Sequence, residues 1–326
     1  MKLPSISLAA LCLLLAGQSA RANDYTALLK ARKYAEVERA TGARLAQEPG
    51  NADALVARSE AILAFGPESR IEEAVKLGEQ CVAAHPQLSN CHLAYGNALG
   101  AKAMNSGMMA AMRYAGTIRD AFAKAVELDP QNIDARFSML QYYIQAPSIV
   151  GGGTDKARSF AAQTATLNAD AGKLMAASLD IDAEQYAKAE AAALAVRPGA
   201  NEALADAQRD VLTDLGSKYV NEKKYADAER VFQEVQKRFP DSDSGPYGLA
   251  RAQQEQGKHR EAVAGFEKAL ALADRPHIHY RLARSWQALN DKPKAIAAFE
   301  KALAFKGGLN KKFRADAEDQ LKVLRG

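Results

Sequence analysis

The fold is decided by residues 225–240, YADAERVFQEVQKRFP, and by two later stretches that repeat the pattern, HREAVAGFEKAL at 259–270 and KPKAIAAFEKAL at 292–303. Aligned on the small residue they read Ala228-x3-Phe232-x2-Val235, Ala262-x3-Phe266-x2-Ala269 and Ala295-x3-Phe299-x2-Ala302, at intervals of 34 and 33 residues. Apolar residues three and four apart fall on one face of a helix. A break rich in Gly, Asn, Asp or Lys separates each of these helices from another before it, so each unit reads as a helical hairpin. The small residue lets two helices approach closely, and the aromatic ring four positions later fills the space against the next hairpin.

These spacings resemble the tetratricopeptide repeat. The fullest copy runs from Arg209 to Pro240, with Leu212, Leu215, Gly216, Tyr219, Tyr225, Ala228, Phe232, Val235 and Pro240 at the family's positions. In the next copy Leu249, Ala250, Ala262, Phe266 and Ala269 fit, while Gln253 replaces an expected aromatic; in the last, Leu282, Ala283, Trp286, Ala295, Phe299 and Ala302 fit. Weaker copies continue upstream through Tyr34 and Pro49, Ala74 and Pro86, Gly96, Phe122, Ala125 and Pro130, Met139, Tyr143 and Ala157, and Tyr186 and Ala189. The resemblance implies an all-α, right-handed solenoid of about eight hairpins: divergent repeats over 23–205, regular ones over 206–306, and an amphipathic helix over 309–326 capping the last apolar face. The period is broken by extra residues around Ala101–Gly116 and Pro147–Gly153, and the fifth unit runs short before Pro198.

Ahead of the repeats, Lys2, the apolar run Ile6–Ala16 and the small residues Ser19-Ala20-Arg21-Ala22 read as a secretory signal cut after Ala22. That predicts a periplasmic protein, with release outside the cell as the other destination. Cys12 follows Leu11 within the apolar run, where a lipid-attachment site needs a small residue, so lipidation is not expected. The apolar run is shorter than the roughly 20 residues that cross a bilayer and no later stretch approaches that length, so the mature chain is not expected to span a membrane. Past Ala22 the chain holds 41 basic and 39 acidic residues, a balance that gives no reason to expect nucleic acid as partner. The charge is uneven, at −5 over residues 23–216 and +7 over 217–326.

Cys81 and Cys91 lie almost symmetrically about His85-Pro86. If that break joins antiparallel helices, the two sulfurs sit at one height, and either a disulfide or a pair of buried thiols satisfies the sequence. No metal site is expected: the five histidines are scattered, and His277-x-His279 puts its members about 200° apart on a helix. Gly151-Gly152-Gly153-Thr154-Asp155-Lys156 lacks the strand and the Lys-Ser/Thr ending of a phosphate loop, and reads as a hairpin connection whose Ile149-Val150 packs back on the solenoid or else contacts a ligand. Met104, Met108, Met109 and Met112, spaced by four and three, read as extra helix packed against a neighbour, or else as an adaptable surface. No nucleophile and base can be assembled, so neither catalysis nor a cofactor is expected.

The expected site is the concave groove, which in proteins resembling this family is lined by the first helix of each hairpin. There Tyr247, Arg251 and Gln254 are matched by Tyr280, Arg284 and Gln287, each set on one helix face, with Asn97 and Gln141 at comparable places upstream. Arginine can grip a carboxylate with two parallel hydrogen bonds, and tyrosine adds stiff contact area. The expected ligand is therefore a protein or peptide, anionic at its contact; the alternative is a carrier of a small apolar or anionic molecule.

Overall fold

The computed structural model describes residues 24–326, so the signal-peptide reading, Cys12 included, lies outside the described residues. Seventeen α-helices follow one another among them. They pair as eight hairpins: α1 (Asp24–Lys30) with α2 (Tyr34–Gln47), α3 (Ala52–Phe65) with α4 (Ile71–Ala84), α5 (Ser89–Asn105) with α6 (Met108–Leu128), α7 (Ile133–Gln145) with α8 (Thr154–Leu167), α9 (Ala169–Asp182) with α10 (Tyr186–Ala195), α11 (Glu202–Asn221) with α12 (Tyr225–Arg238), α13 (Ser244–Glu255) with α14 (His259–Leu272), and α15 (Pro276–Ala288) with α16 (Lys292–Ala304). A final helix, α17 (Lys311–Arg325), covers the last hairpin. The fold is a right-handed α-solenoid with a capping helix.

Local chemistry sets the helix ends. Asn51, Asn132, Asn168, Asn201 and Asn310 each accept a bond from the backbone N–H three residues on, satisfying one of the free donors at a helix start. Five hairpins turn through three residues in the same conformation, with the central member at positive φ: Arg32 (55°), Glu184 (58°), Lys223 (60°), Gly257 (78°) and Asn290 (59°). In the sixth hairpin Lys223 N–H bonds to the Val220 carbonyl and Lys224 N–H to that of Tyr219, and the other four turns repeat this pair. It is the left-handed cap that satisfies a helix's last carbonyls while reversing the chain.

The aromatic of the repeat sits where the pattern placed it. Phe232, Phe266 and Phe299 are all but fully buried. A Cβ on Gly248 would stand 2.1 Å from the Phe232 ring, and one on Gly216 2.7 Å from it, so two successive hairpins close on this ring only because both positions lack a side chain.

The divergent half keeps the hairpin plan and changes its connections. The extra residues of the third hairpin lengthen both helices, to 17 and 21 residues, which meet at Ser106-Gly107. The four methionines at that tip are not packed, contrary to what their spacing suggests. Met104, Met108 and Met109 are 80%, 83% and 83% exposed, because the lengthened tip outruns its neighbours. In the fourth hairpin the Pro147–Gly153 loop folds back as expected for Val150, whose carbonyl accepts from Tyr142 Oη at 2.6 Å, but Ile149 points into solvent. The fifth hairpin is cut short by a ten-residue α10.

The solenoid also closes on itself. Turns within hairpins lie on one rim and connections between hairpins on the other. The first rim of hairpins one and two rests on the opposite rim of hairpins six to eight. Phe65 stacks on Tyr34 (5.6 Å) and meets Phe305 edge-on (5.5 Å), and Phe305 lies over His279 (6.1 Å). Gly307 abuts Gly66, where a Cβ would come within 2.4 Å of the backbone. Lys311 pairs with Glu68 at 2.7 Å, Lys30 pairs with Glu202, and Arg32 pairs with Asp243, a nearly inaccessible carboxylate that Arg275 also approaches at 3.3 Å. Within the coil α7 touches α11 directly past α9, which narrows the concave face at its middle.

Candidate functional site

From the second hairpin onward, the first helix of each hairpin contributes one residue in common register to the concave face. Ser59, Gly96, Leu140, Ala177, Gly216, Ala250 and Ala283 are the buried contact positions of successive hairpins, and the residues that follow them are all at least partly exposed. That row reads Glu60, Asn97, Gln141, Ser178, Ser217, Arg251, Arg284. It runs from an acid through neutral amides and hydroxyls to two guanidinium groups. The charge asymmetry of the sequence thus becomes a gradient along one surface.

At the acidic end Glu60 is held up to about 7, first by the protein that walls it in and then by the field of Asp134. Asp134 is likewise raised by enclosure and by Asp206 and Asp210. These four carboxylates come from α3, α7 and α11, helices that face one another across the narrowed coil. Solvent reaches Glu60, Asp134 and Asp210, so the cluster lines an open interior rather than a sealed core.

At the basic end Arg251 Nη2 donates to Asn221 Oδ1 at 2.6 Å, a neutral partner. Its Nε is buried without an acceptor among the described residues. Burial and then Arg281 depress its pKa, as expected for a guanidinium facing another cation. Tyr247 packs against Phe266 (5.9 Å) and edge-on to His277 (4.9 Å). His277 is lowered to about 4 by burial and then by Arg32 and Arg281, and so is neutral at pH 7. The Arg32 turn of the first hairpin approaches this wall.

The structure brings Tyr247 and Arg251 to one wall and engages the other expected residues, Gln141 excepted, in repeat-to-repeat bonds. Gln254 Nε2 donates to the Arg281 carbonyl and to Ser285 Oγ, both at 2.7 Å, and its Oε1 accepts from Arg281 Nη1 at 2.9 Å. Tyr280 Oη donates to Asp316 Oδ2 at 2.7 Å and its ring stacks on Phe313 at 4.5 Å; Arg284 Nη1 reaches the same carboxylate at 3.2 Å; Gln287 donates to Gln320 at 2.6 Å. The capping helix therefore takes up the whole eighth-hairpin set. Asn97 accepts from Ser138 at 3.2 Å, and Gln141 stands exposed beside Gln145. Reading the sequence by matching pairs found the arginines but passed over Glu60, Asp134 and Arg281. A register count through every first helix would have found Glu60; Arg281 reaches the wall through its bonds to Gln254 and Glu255 of the adjacent hairpin, and Arg32 through closure, which has no local signal.

Cys81 and Cys91 are fully buried on α4 and α5, Cα atoms 5.2 Å apart, with their sulfurs joined across the hairpin connection. On the convex side, short α10 borders a cleft of about 730 Å³ lined by Tyr186, Glu190, Tyr219 and Arg230. Arg230 binds Glu190 at 2.8–2.9 Å and Tyr219 Oη reaches Glu190 at 3.3 Å, so these polar groups satisfy one another.

Residues 204–242 and 279–304 match the family model described as tetratricopeptide repeat. No curated protein matches the chain. Among solved structures, a tetratricopeptide repeat protein from Parabacteroides merdae aligns at TM-score 0.46 and 16% identity, over 90% of this chain and 99% of that one. The APC/C hetero-tetramer Cut9–Hcn1 aligns at TM-score 0.45 and 16% identity, over 93% of this chain; the alignment spans 55% of the matched chain's length.

Proposed function

We propose that this array of tetratricopeptide repeats is an exported, non-catalytic scaffold that binds an anionic segment of a protein or peptide on the basic end of its concave face. The observation that carries this reading is Arg251: it forms no ion pair among the described residues, faces Arg281, and keeps a buried donor without an acceptor. A carboxylate laid beside Tyr247 would supply the missing charge and acceptor, and a guanidinium already held in place loses little freedom on binding it. Arg281, paired with Glu255 at 2.7 Å, flanks the site, and Tyr247 offers its ring. The sequence signal ahead of the repeats supports the periplasm as the compartment.

The test captures partners from an envelope extract on the mature chain and on Arg251→Ala, with bound proteins and small molecules identified together by mass spectrometry. A protein partner lost with Arg251→Ala and restored by Arg251→Lys in part is the expected result. A partner held equally by both forms would move the site away from this wall. A small ligand alone would favour a carrier.

A further inference from the structure

The tip of the third hairpin holds a cluster that the groove does not use. Four methionines fall within nine residues: Met104 near the end of α5, then Met108, Met109 and Met112 on the first turns of α6. Met139 and Met175, by contrast, are buried at 4% and 0% exposure, where methionine acts as packing. At the tip, side chains 80–83% exposed gain almost nothing from burial, and Met112, at 40%, is only half covered.

The cluster has a geometry. On α6 Met108 and Met112 are four apart and Met109 and Met112 three apart, so Met112 neighbours both, with about 5–6 Å between Cβ atoms. Met104 precedes the two-residue link Ser106-Gly107 and lies on the antiparallel helix. Three rotatable bonds let each thioether turn toward a common point without moving the backbone.

The chemistry of the surroundings is selective. From residue 80 to residue 119 the chain contains no aspartate or glutamate, and the carboxylate that reaches this part of the hairpin from α4, Glu72, is paired with Lys102 at 2.7 Å. Asn105 and Ser106, the polar residues of the tip, bond to the carbonyls of Ala101 and Lys102. His92 is at the other end of α5, about 18 Å away at 1.5 Å per residue. The donors offered at the tip are therefore neutral, soft sulfurs. Magnesium, calcium and manganese call for oxygen, and Zn²⁺ and Cu²⁺ for imidazole, thiolate or carboxylate; a thioether set suits a soft monovalent d¹⁰ ion. We propose that Met108, Met109 and Met112, with Met104 from the facing helix, form a binding site for Cu(I). Since a thioether has no proton to lose, the site holds its ion at pH 5 as at pH 7, unlike one built on histidine or cysteine.

The test titrates the mature chain anaerobically with Cu(I) delivered from its bicinchoninate complex, following loss of the complex's colour. Three proteins are compared: wild type, Met108→Leu/Met109→Leu/Met112→Leu, and Cys81→Ser/Cys91→Ser. Leucine keeps the tip apolar and helical and removes only sulfur, and circular dichroism checks that the fold is unchanged. The expected result is transfer of one Cu(I) per chain to the wild type and to the serine variant, alike at pH 5 and pH 7, with loss of transfer in the leucine variant. No transfer to the wild type, retention by the leucine variant, or loss in the serine variant would each overturn the site.

Discussion

Hairpins six to eight and hairpins two to four are built from the same helix pair and differ in how the pair is joined. The former turn through three residues in a left-handed cap, at Lys223, Gly257 and Asn290, and the buried alanine and phenylalanine of the second helix, Ala228/Phe232, Ala262/Phe266 and Ala295/Phe299, repeat at the family period. The latter replace that turn with Gly66-Pro67 and a 3-10 turn at Glu68–Arg70, with the methionine tip, and with the Pro147–Gly153 loop. All three elaborations lie on one rim. One of them, through Phe65 and Glu68, meets the far end of the chain; another exposes four thioethers. Regular repeats carry the stacking and a uniform groove, and irregular connections carry what the stacking alone does not supply.

The largest test of this division is Phe232→Ala. The ring is 1% exposed and wedged between Gly216 and Gly248, so its removal leaves a cavity that two backbones cannot close. The expected loss is about 3–5 kcal/mol in urea unfolding, with hydrogen exchange rising first in α11 to α13. Next is the bridge between Cys81 and Cys91, which closes a ten-residue separation. Non-reducing mass analysis should find the linkage, and Cys81→Ser/Cys91→Ser should cost about 2–3 kcal/mol, with faster exchange in α4 and α5 and none added in hairpins six to eight. If the C-terminal half loosens equally, the two regions are one cooperative unit and the comparison fails. The seam comes third. Asp243→Asn removes the charge that faces Arg32 and Arg275, and should cost about 2 kcal/mol and let the ring spring open. A larger radius of gyration in solution scattering is the readout; an unchanged radius would mean that the Phe65–Phe305 contact and the Lys311–Glu68 and Lys30–Glu202 pairs hold the seam without this charge.

What the sequence made legible follows from the range of the forces involved. Phe232, Phe266 and Phe299 were readable because each packs within its own and the adjacent hairpin, so the pattern that buries them recurs every 33 or 34 residues. The capping helix was readable as an amphipathic segment over 309–326, but that it would absorb Tyr280, Arg284 and Gln287 through Phe313, Asp316 and Gln320 was not, since those contacts follow no repeat. The methionines were misread because spacing records a helix face, whereas burial depends on whether a neighbour is long enough to cover it. Arg32 and Asp243 lie more than 200 residues apart in the chain and meet through the summed curvature of the hairpins between them; no window of sequence contains that sum.

A smaller effect separates the two ends of the groove. Glu60 holds its proton to about 7, above an ordinary carboxylate, so the folded chain binds this proton more tightly than the unfolded one. Its contribution is present in full below the ordinary glutamate range and disappears as pH rises through about 7. Stability should therefore decline between pH 5 and pH 8, and Glu60→Gln should flatten that decline. Solvent reaches this carboxyl, which limits the change to about 1 kcal/mol or less. A slope unchanged in Glu60→Gln would transfer the effect to Asp134 or Asp210.

The smallest prediction concerns the shared turn, and it asks why some repeats keep a strained residue there. Lys223, at φ 60°, adopts a backbone that favours glycine, and its side chain is exposed. Lys223→Gly relieves the strain but frees the unfolded chain, so a net gain of roughly 0.5–1 kcal/mol is expected by thermal melting, while the opposite change, Gly257→Ala, should cost a similar amount. Arg32 has the same conformation at φ 55° but uses its side chain across the seam. Arg32→Gly should therefore lose stability where Lys223→Gly gains it. The difference in sign between two residues of one type of turn separates a position kept for its backbone from one kept for the contact it reaches.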